Sequence, residues 1–70
     1  MPIALAPLNQ EMTVVRVACN PKELSHLAAL GIVREAKVTV LSSTMGAVVV
    51  LVKGSRLALD HLTASKIFVA

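Results

Sequence analysis

Seventy residues allow one small domain with a single modest core. Hydrophobic residues make up 56% of the chain, yet Phe68 is its one aromatic, so Val, Leu and Ala must fill the interior. The net charge of +3 comes from scattered basic residues with no basic stripe, which argues against a nucleic-acid surface, and no apolar run approaches the length of about 18 residues that spans a bilayer.

In chain order, Pro2 and Pro7 predict an extended lead-in over residues 1–8 rather than an element. Met12 to Ala18 reads as a first strand. Its expected parity turns Val15 and Val17 inward and leaves Val14 and Arg16 facing water. Asn20 to Ile32 then carries a full set of helix start and stop features. Asn20 suits the N-cap, Pro21 the first helical position, Glu23 the third, and Gly31 the left-handed exit. At 100° per residue, Leu24, Leu27 and Ala28 share one face, with Leu30 on its flank.

After Gly31 the chain reads as strand. Val38 to Leu41 is a second strand, and Ser42, Ser43, Thr44 and Gly46 mark a turn. Ala47 to Lys53 is expected to meet Arg56 to Asp60 across a tight Gly54-Ser55 turn. Asp60 to Lys66 reads as a turn or one helical loop, and Ile67 to Val69 as a short closing strand. Five short strands and one helix in so small a chain predict a mainly β, strongly bent barrel.

The third strand does not alternate in hydrophobicity. With Lys53 in water, Val48, Val50 and Val52 point inward, and Val49 and Leu51 fall on the outer face. Single apolar residues on a surface are ordinary. An apolar pair on an uncovered sheet face is better read as an association surface, to which Val14 and Phe68 are added as candidates.

No phosphate-cradling glycine loop, paired-carboxylate motif or nucleophile arrangement is present, so the chain reads as non-enzymatic. Cys19, His26 and His61 are its only strong soft or borderline metal donors, and none has the spacing of a preformed site. His26 lies on the solvent face of the helix. Cys19 precedes the helix, whose dipole favours a lowered thiol pKa, but a plain semi-buried thiol is the preferred reading over a reactive one. A lone cysteine forms no internal disulfide and points to a reducing, cytoplasmic home.

Four segments together resemble the FeoA domain of bacterial ferrous iron transport. They are Pro7-Leu8 leading into Val14-Val15-Arg16-Val17, the helix ending Leu27-Ala-Ala-Leu-Gly31-Ile, the strand Val38-Thr-Val-Leu41, and Val52-Lys-Gly-Ser-Arg-Leu-Ala-Leu59 followed by Ala64 and Ile67-Phe-Val69. Two positions depart from the family pattern. Asn9 stands where a glycine is usual before the first strand, and Arg34-Glu35 where Pro-Gly is usual after the helix.

The resemblance implies one domain over residues 1–70, a Src-homology-3-like (SH3-like) barrel with a helix inserted after its first strand. It also implies a cytoplasmic accessory role beside FeoB, the membrane permease with a GTPase domain, at the inner face of the membrane. Ferrous iron (Fe2+) or another divalent metal is the implied ligand, and homo-oligomers are a further expectation. The same domain closes metal-dependent repressors. This chain shows no helix-turn-helix, so the transport role is preferred over a metal-responsive sensor or a nucleic-acid-binding barrel.

Overall fold

The computed structural model describes all seventy residues, Met1–Ala70. Five strands make one antiparallel sheet: β1 (Glu11–Val17), β2 (Lys37–Ser43), β3 (Ala47–Val52), β4 (Ser55–Asp60) and β5 (Ile67–Val69). Their spatial order is β4-β3-β2-β1-β5. Helix α1 (Pro21–Ala29) connects β1 to β2, and a single helical turn, α2 (His61–Ala64), connects β4 to β5. The sheet curls into an SH3-like barrel that hydrogen bonds do not close, because β4 and β5 are its two ends.

The limits of α1 are set by its own sequence. Asn20 Oδ1 accepts from the Glu23 N–H at 2.8 Å, and Glu23 Oε1 accepts from the Asn20 N–H at 3.4 Å. This reciprocal box satisfies two amides that the helix leaves unpaired. At the other end Gly31 has φ +93°, its N–H donates to Ala28 O, and the Ile32 N–H donates to Leu27 O. That is a Schellman exit, with Leu27 and Ile32 both buried.

Fifteen apolar residues form the core, and no polar or charged side chain is buried. The sheet supplies Met12, Val14, Val38, Val40, Val48, Val50, Val52, Leu59, Ile67 and Val69. β-branched side chains dominate because they fit the pleated inner surface of a small curved sheet. The burial pattern of β3 alternates as its sequence predicts, with Val49 and Leu51 half-buried on the outer face.

Several expectations are corrected. Val14 is fully buried and Val15 is 43% exposed, the reverse of the predicted parity. The cause is a register shift between Val14 and Arg16, a bulge that inserts one unpaired residue opposite β5. A bulge lets Val14 point inward and Val17 also pack against the core, three residues apart. A second shift, between Val40 and Ser42, bends β2 against β3.

Residues 1–8 are not a simple extended lead-in. Ile3–Leu5 form one 3-10 turn, Ile3 is fully buried, and Ala6 is buried beside it. The Met1 ammonium donates to Val69 O at 2.8 Å, the Val69 N–H donates to Met1 O at 2.7 Å, and Pro2 bridges Phe68. Farther along, Leu8 bridges Val40 and the Asn9 N–H donates to Val40 O at 2.7 Å. This segment covers the outer edge of β5 and fills the barrel beneath it.

The hairpin between β3 and β4 turns at Lys53-Gly54, one residue before the expected Gly54-Ser55. Lys53 has φ +50° and Gly54 φ +79°, and Val52 pairs with Ser55. Positive φ at both central positions is the type I′ geometry, whose twist matches that of the flanking strands. Asn9 and Glu35 also have positive φ, +60° and +75°, at the two positions where the family pattern places glycine. At α2, Asp60 is the N-cap, accepting from the Thr63 N–H at 2.7 Å. Hydrogen bonding from the Thr63 side chain and then its backbone holds the Asp60 carboxyl below the ordinary aspartate range.

Candidate functional site

The largest concavity is an open groove of about 550 Å³ between α1, the end of β1 and the turn after Gly31. Its floor and walls are Val15 and Val17 from β1, Leu24 and Ala28 from α1, and Ile32 and Val33 from the helix exit. Arg16 and Arg34 stand at its rim. Each wall has a local cause. The β1 bulge turns Val15 outward. Leu27 is the only residue of α1 buried in the core, so Leu24 at 39% and Val33, just beyond the helix exit, at 44% remain exposed. Leu24 and Ala28, which share the apolar face of the helix, and Leu30 on its flank are exposed; only Leu27 of that stripe is buried. Arg16 lies over the Phe68 ring, 5.5 Å from its centroid, which fixes one of the two rim cations.

A second surface is the outer face of β3. Val49 pairs with Ala58 and Leu51 with Arg56 on β4, while Ser42 and Thr39 flank them on β2. The four residues named from sequence do not form one patch. Val14 is inside the core and cannot line a surface. Phe68 is half-buried on β5 against Arg16, with β1 and β2 lying between β5 and β3. Val49 and Leu51 alone share the face expected of them.

The metal donors are not brought together. No group of three His, Cys, Asp or Glu side chains converges on a point where an ion would sit. His26 is exposed on α1 and His61 is exposed at the start of α2. Cys19 is half-buried, and its thiol is pushed up rather than down, first by burial and then by the nearby Glu23 carboxylate, against a smaller opposing effect of Lys66. This is the plain semi-buried thiol preferred from the sequence, not one lowered by the helix dipole. Glu23 itself is committed, to the cap and to Lys66 Nζ at 3.5 Å. A cleft of about 440 Å³ between α1 and the end of β4, with Ala58, Leu59 and Asp60 on its far side and Thr63 of α2 beside them, contains His26, but both carboxylates in it, Glu23 and Asp60, already act as helix caps.

Sequence reasoning misses the groove because it turns Val15 and Val17 inward and gives Leu24 and Ala28 to the apolar face of the helix. The available sign was surplus: Val14-Val15 and Ile32-Val33 are adjacent apolar pairs, and only one member of each pair fits inside a small barrel.

The FeoA domain model matches residues 1–70. A crystal structure of an iron uptake regulatory protein (FeoA) superimposes with a TM-score of 0.90 at 24% identity, over 99% of this chain and 93% of that one. The solution structure of a FeoA protein from Chlorobium tepidum gives 0.87 at 28% identity, over 99% and 68%. A manganese-dependent transcriptional repressor gives 0.88 at 22% identity, over all of this chain but 40% of the repressor. At these identities the first and third establish a common fold. No curated protein matches the sequence.

Proposed function

This chain belongs to the FeoA domain family, with a role in ferrous iron transport, and on that premise we propose that it is a non-enzymatic accessory module that docks on the cytoplasmic part of an FeoB-like permease and modulates it. The observation that carries this reading is the apolar groove with Arg16 and Arg34 at its rim. The exposed side chains of Val15, Leu24, Ala28 and Val33 line a concavity while two cations flank it, and that combination fits a segment presenting apolar side chains together with a carboxylate. Ferrous iron is the permease's cargo in this reading, and the accessory acts by contact.

The test is capture of the permease's cytoplasmic part by a Leu24→Asp/Val33→Asp variant, with thermal melting to confirm folding. Both positions are exposed, so the melt should change little. Burying each such side chain at an interface is worth about 1.5–3 kcal/mol, so capture should weaken at least about tenfold. A folded variant that binds as wild type does would overturn the groove as the docking site. A Val49→Thr/Leu51→Thr variant makes the comparison: loss of capture there alone would move the docking site to the outer face of β3.

A further inference from the structure

The β2–β3 turn, the 3-10 turn Ile3–Leu5 and helix α2 meet at one end of the barrel. The Ser43 hydroxyl donates to Ala4 O at 3.3 Å, Ala47 pairs with Asp60 at the start of α2, and α2 packs against the 3-10 turn. Each of these segments holds one large aliphatic side chain out in solvent. Leu5 is 75% exposed, Met45 96% and Leu62 75%, while no other large apolar side chain of the protein exceeds 55%. The three lie far apart in sequence, and the fold gathers them.

None of them lines a concavity, so this end receives nothing and can act only by inserting. Its backbone is also prepared for the loss of water. Every side-chain hydrogen bond to backbone outside the α1 cap lies here. Besides the Ser43 bond, the Thr44 hydroxyl donates to Ala47 O at 3.1 Å and accepts from the Ala47 N–H at 3.3 Å. The Ser65 hydroxyl donates to Leu62 O at 2.6 Å, and Asp60 holds the Thr63 N–H. A backbone group that leaves water without a partner is costly, and in lipid nothing replaces the water. Residues 3–5, 43–47 and 60–65 include no lysine or arginine and one acid, Asp60, which is committed to its cap.

We propose that this end of the barrel dips into the surface of a lipid bilayer, with Leu5, Met45 and Leu62 reaching below the headgroups. A protein partner would need a hollow matched to three separate projecting points, whereas a bilayer accepts such points in any arrangement. The net charge of +3, carried by lysines and arginines outside these segments, adds attraction to an anionic leaflet. The inserting end shares no residue with the groove, so it stands or falls separately from docking on the permease.

Flotation with vesicles of phosphatidylethanolamine and phosphatidylglycerol, with no permease present, is the first measurement. Wild type should float with the vesicles. Leu5→Ser/Met45→Ser/Leu62→Ser should melt as wild type does, since all three side chains are exposed, and should partition about tenfold less or weaker still. A wild type that stays in the aqueous fraction, or a folded triple variant that floats as well as wild type, overturns the proposal. Loss of permease capture by the triple variant with no vesicle binding by wild type also overturns it, and gives this end to a protein instead. The second measurement reads depth. The chain has no tryptophan, so Met45→Trp is a single emitter, which vesicles should shift to the blue and acyl-brominated lipids should quench. Arg56→Trp, exposed toward the opposite end of β4, controls for the affinity of tryptophan itself for membrane interfaces. Quenching at position 45 no stronger than at position 56 overturns the insertion of this end.

Discussion

Helix α1 and the ten residues before β1 reach fixed structures by opposite routes. Both ends of α1 are closed by groups within the stretch from Asn20 to Ile32, and only Leu27 anchors the helix itself in the core. The N-terminal segment has one short 3-10 turn of its own. Its other bonds run to Val69, Phe68, Val40 and Ser43, far away in sequence, and its Ile3 is among the most deeply buried side chains. A helix in so small a domain is specified locally and contributes modestly to the core. A segment with almost no local pattern is specified by the barrel it completes.

The sharpest way to break this comparison is Ile3→Ala. Removing a fully buried isoleucine should cost about 2–5 kcal/mol, a large part of the stability of a domain this size. The midpoint of urea unfolding reads it, and a loss under about 1 kcal/mol would mean the N-terminal segment is dispensable trim. Next in size is Asn20→Ala, which removes the acceptor for the Glu23 N–H and should cost about 1 kcal/mol in the same assay. No change would mean that packing at Leu27, not the cap, defines the start of α1.

The smallest effect has the opposite sign. Glu35 sits at φ +75°, a conformation costing a residue with a side chain about 1–2 kcal/mol relative to glycine. Glycine also gains entropy when the chain unfolds, which offsets part of that, so Glu35→Gly should stabilise by about 0.5 kcal/mol. Destabilisation instead would show that the Glu35 side chain contributes more than its backbone strain costs.

The same contrast explains what could be read from the sequence. The limits of α1, the inward set of β3 and the closing strand Ile67–Val69 follow from features that lie side by side in the chain: caps, Lys53 at a strand end, and alternation. The resemblance to the FeoA family, carried by the order of those pieces, supplied the barrel. The parity of β1 was not readable, because Val14-Val15 is a pair of equal side chains and the bulge that separates them depends on the pairing with β5. The hairpin turn slipped by one because Gly54 was placed first in the turn, as a type II′ loop has it, while a lysine in left-handed geometry puts it second. The groove depended on both errors of facing, at Val15 and at Leu24, so it became visible only with the tertiary structure.

The paired backbone bonds between Met1 and Val69 also bear on how the domain assembles. They join residues 68 apart in a chain of seventy, so forming them early would close a loop of nearly the whole molecule, an entropy cost that grows with loop length. The β3–β4 hairpin, with its two-residue turn, has no such cost and is the natural place for order to begin. The two ends therefore meet late, after the folding transition state. Ile3→Ala should then accelerate unfolding in a denaturant-dependence experiment and leave the folding rate near that of wild type, and a slowed folding arm would place the junction of the ends in the nucleus instead.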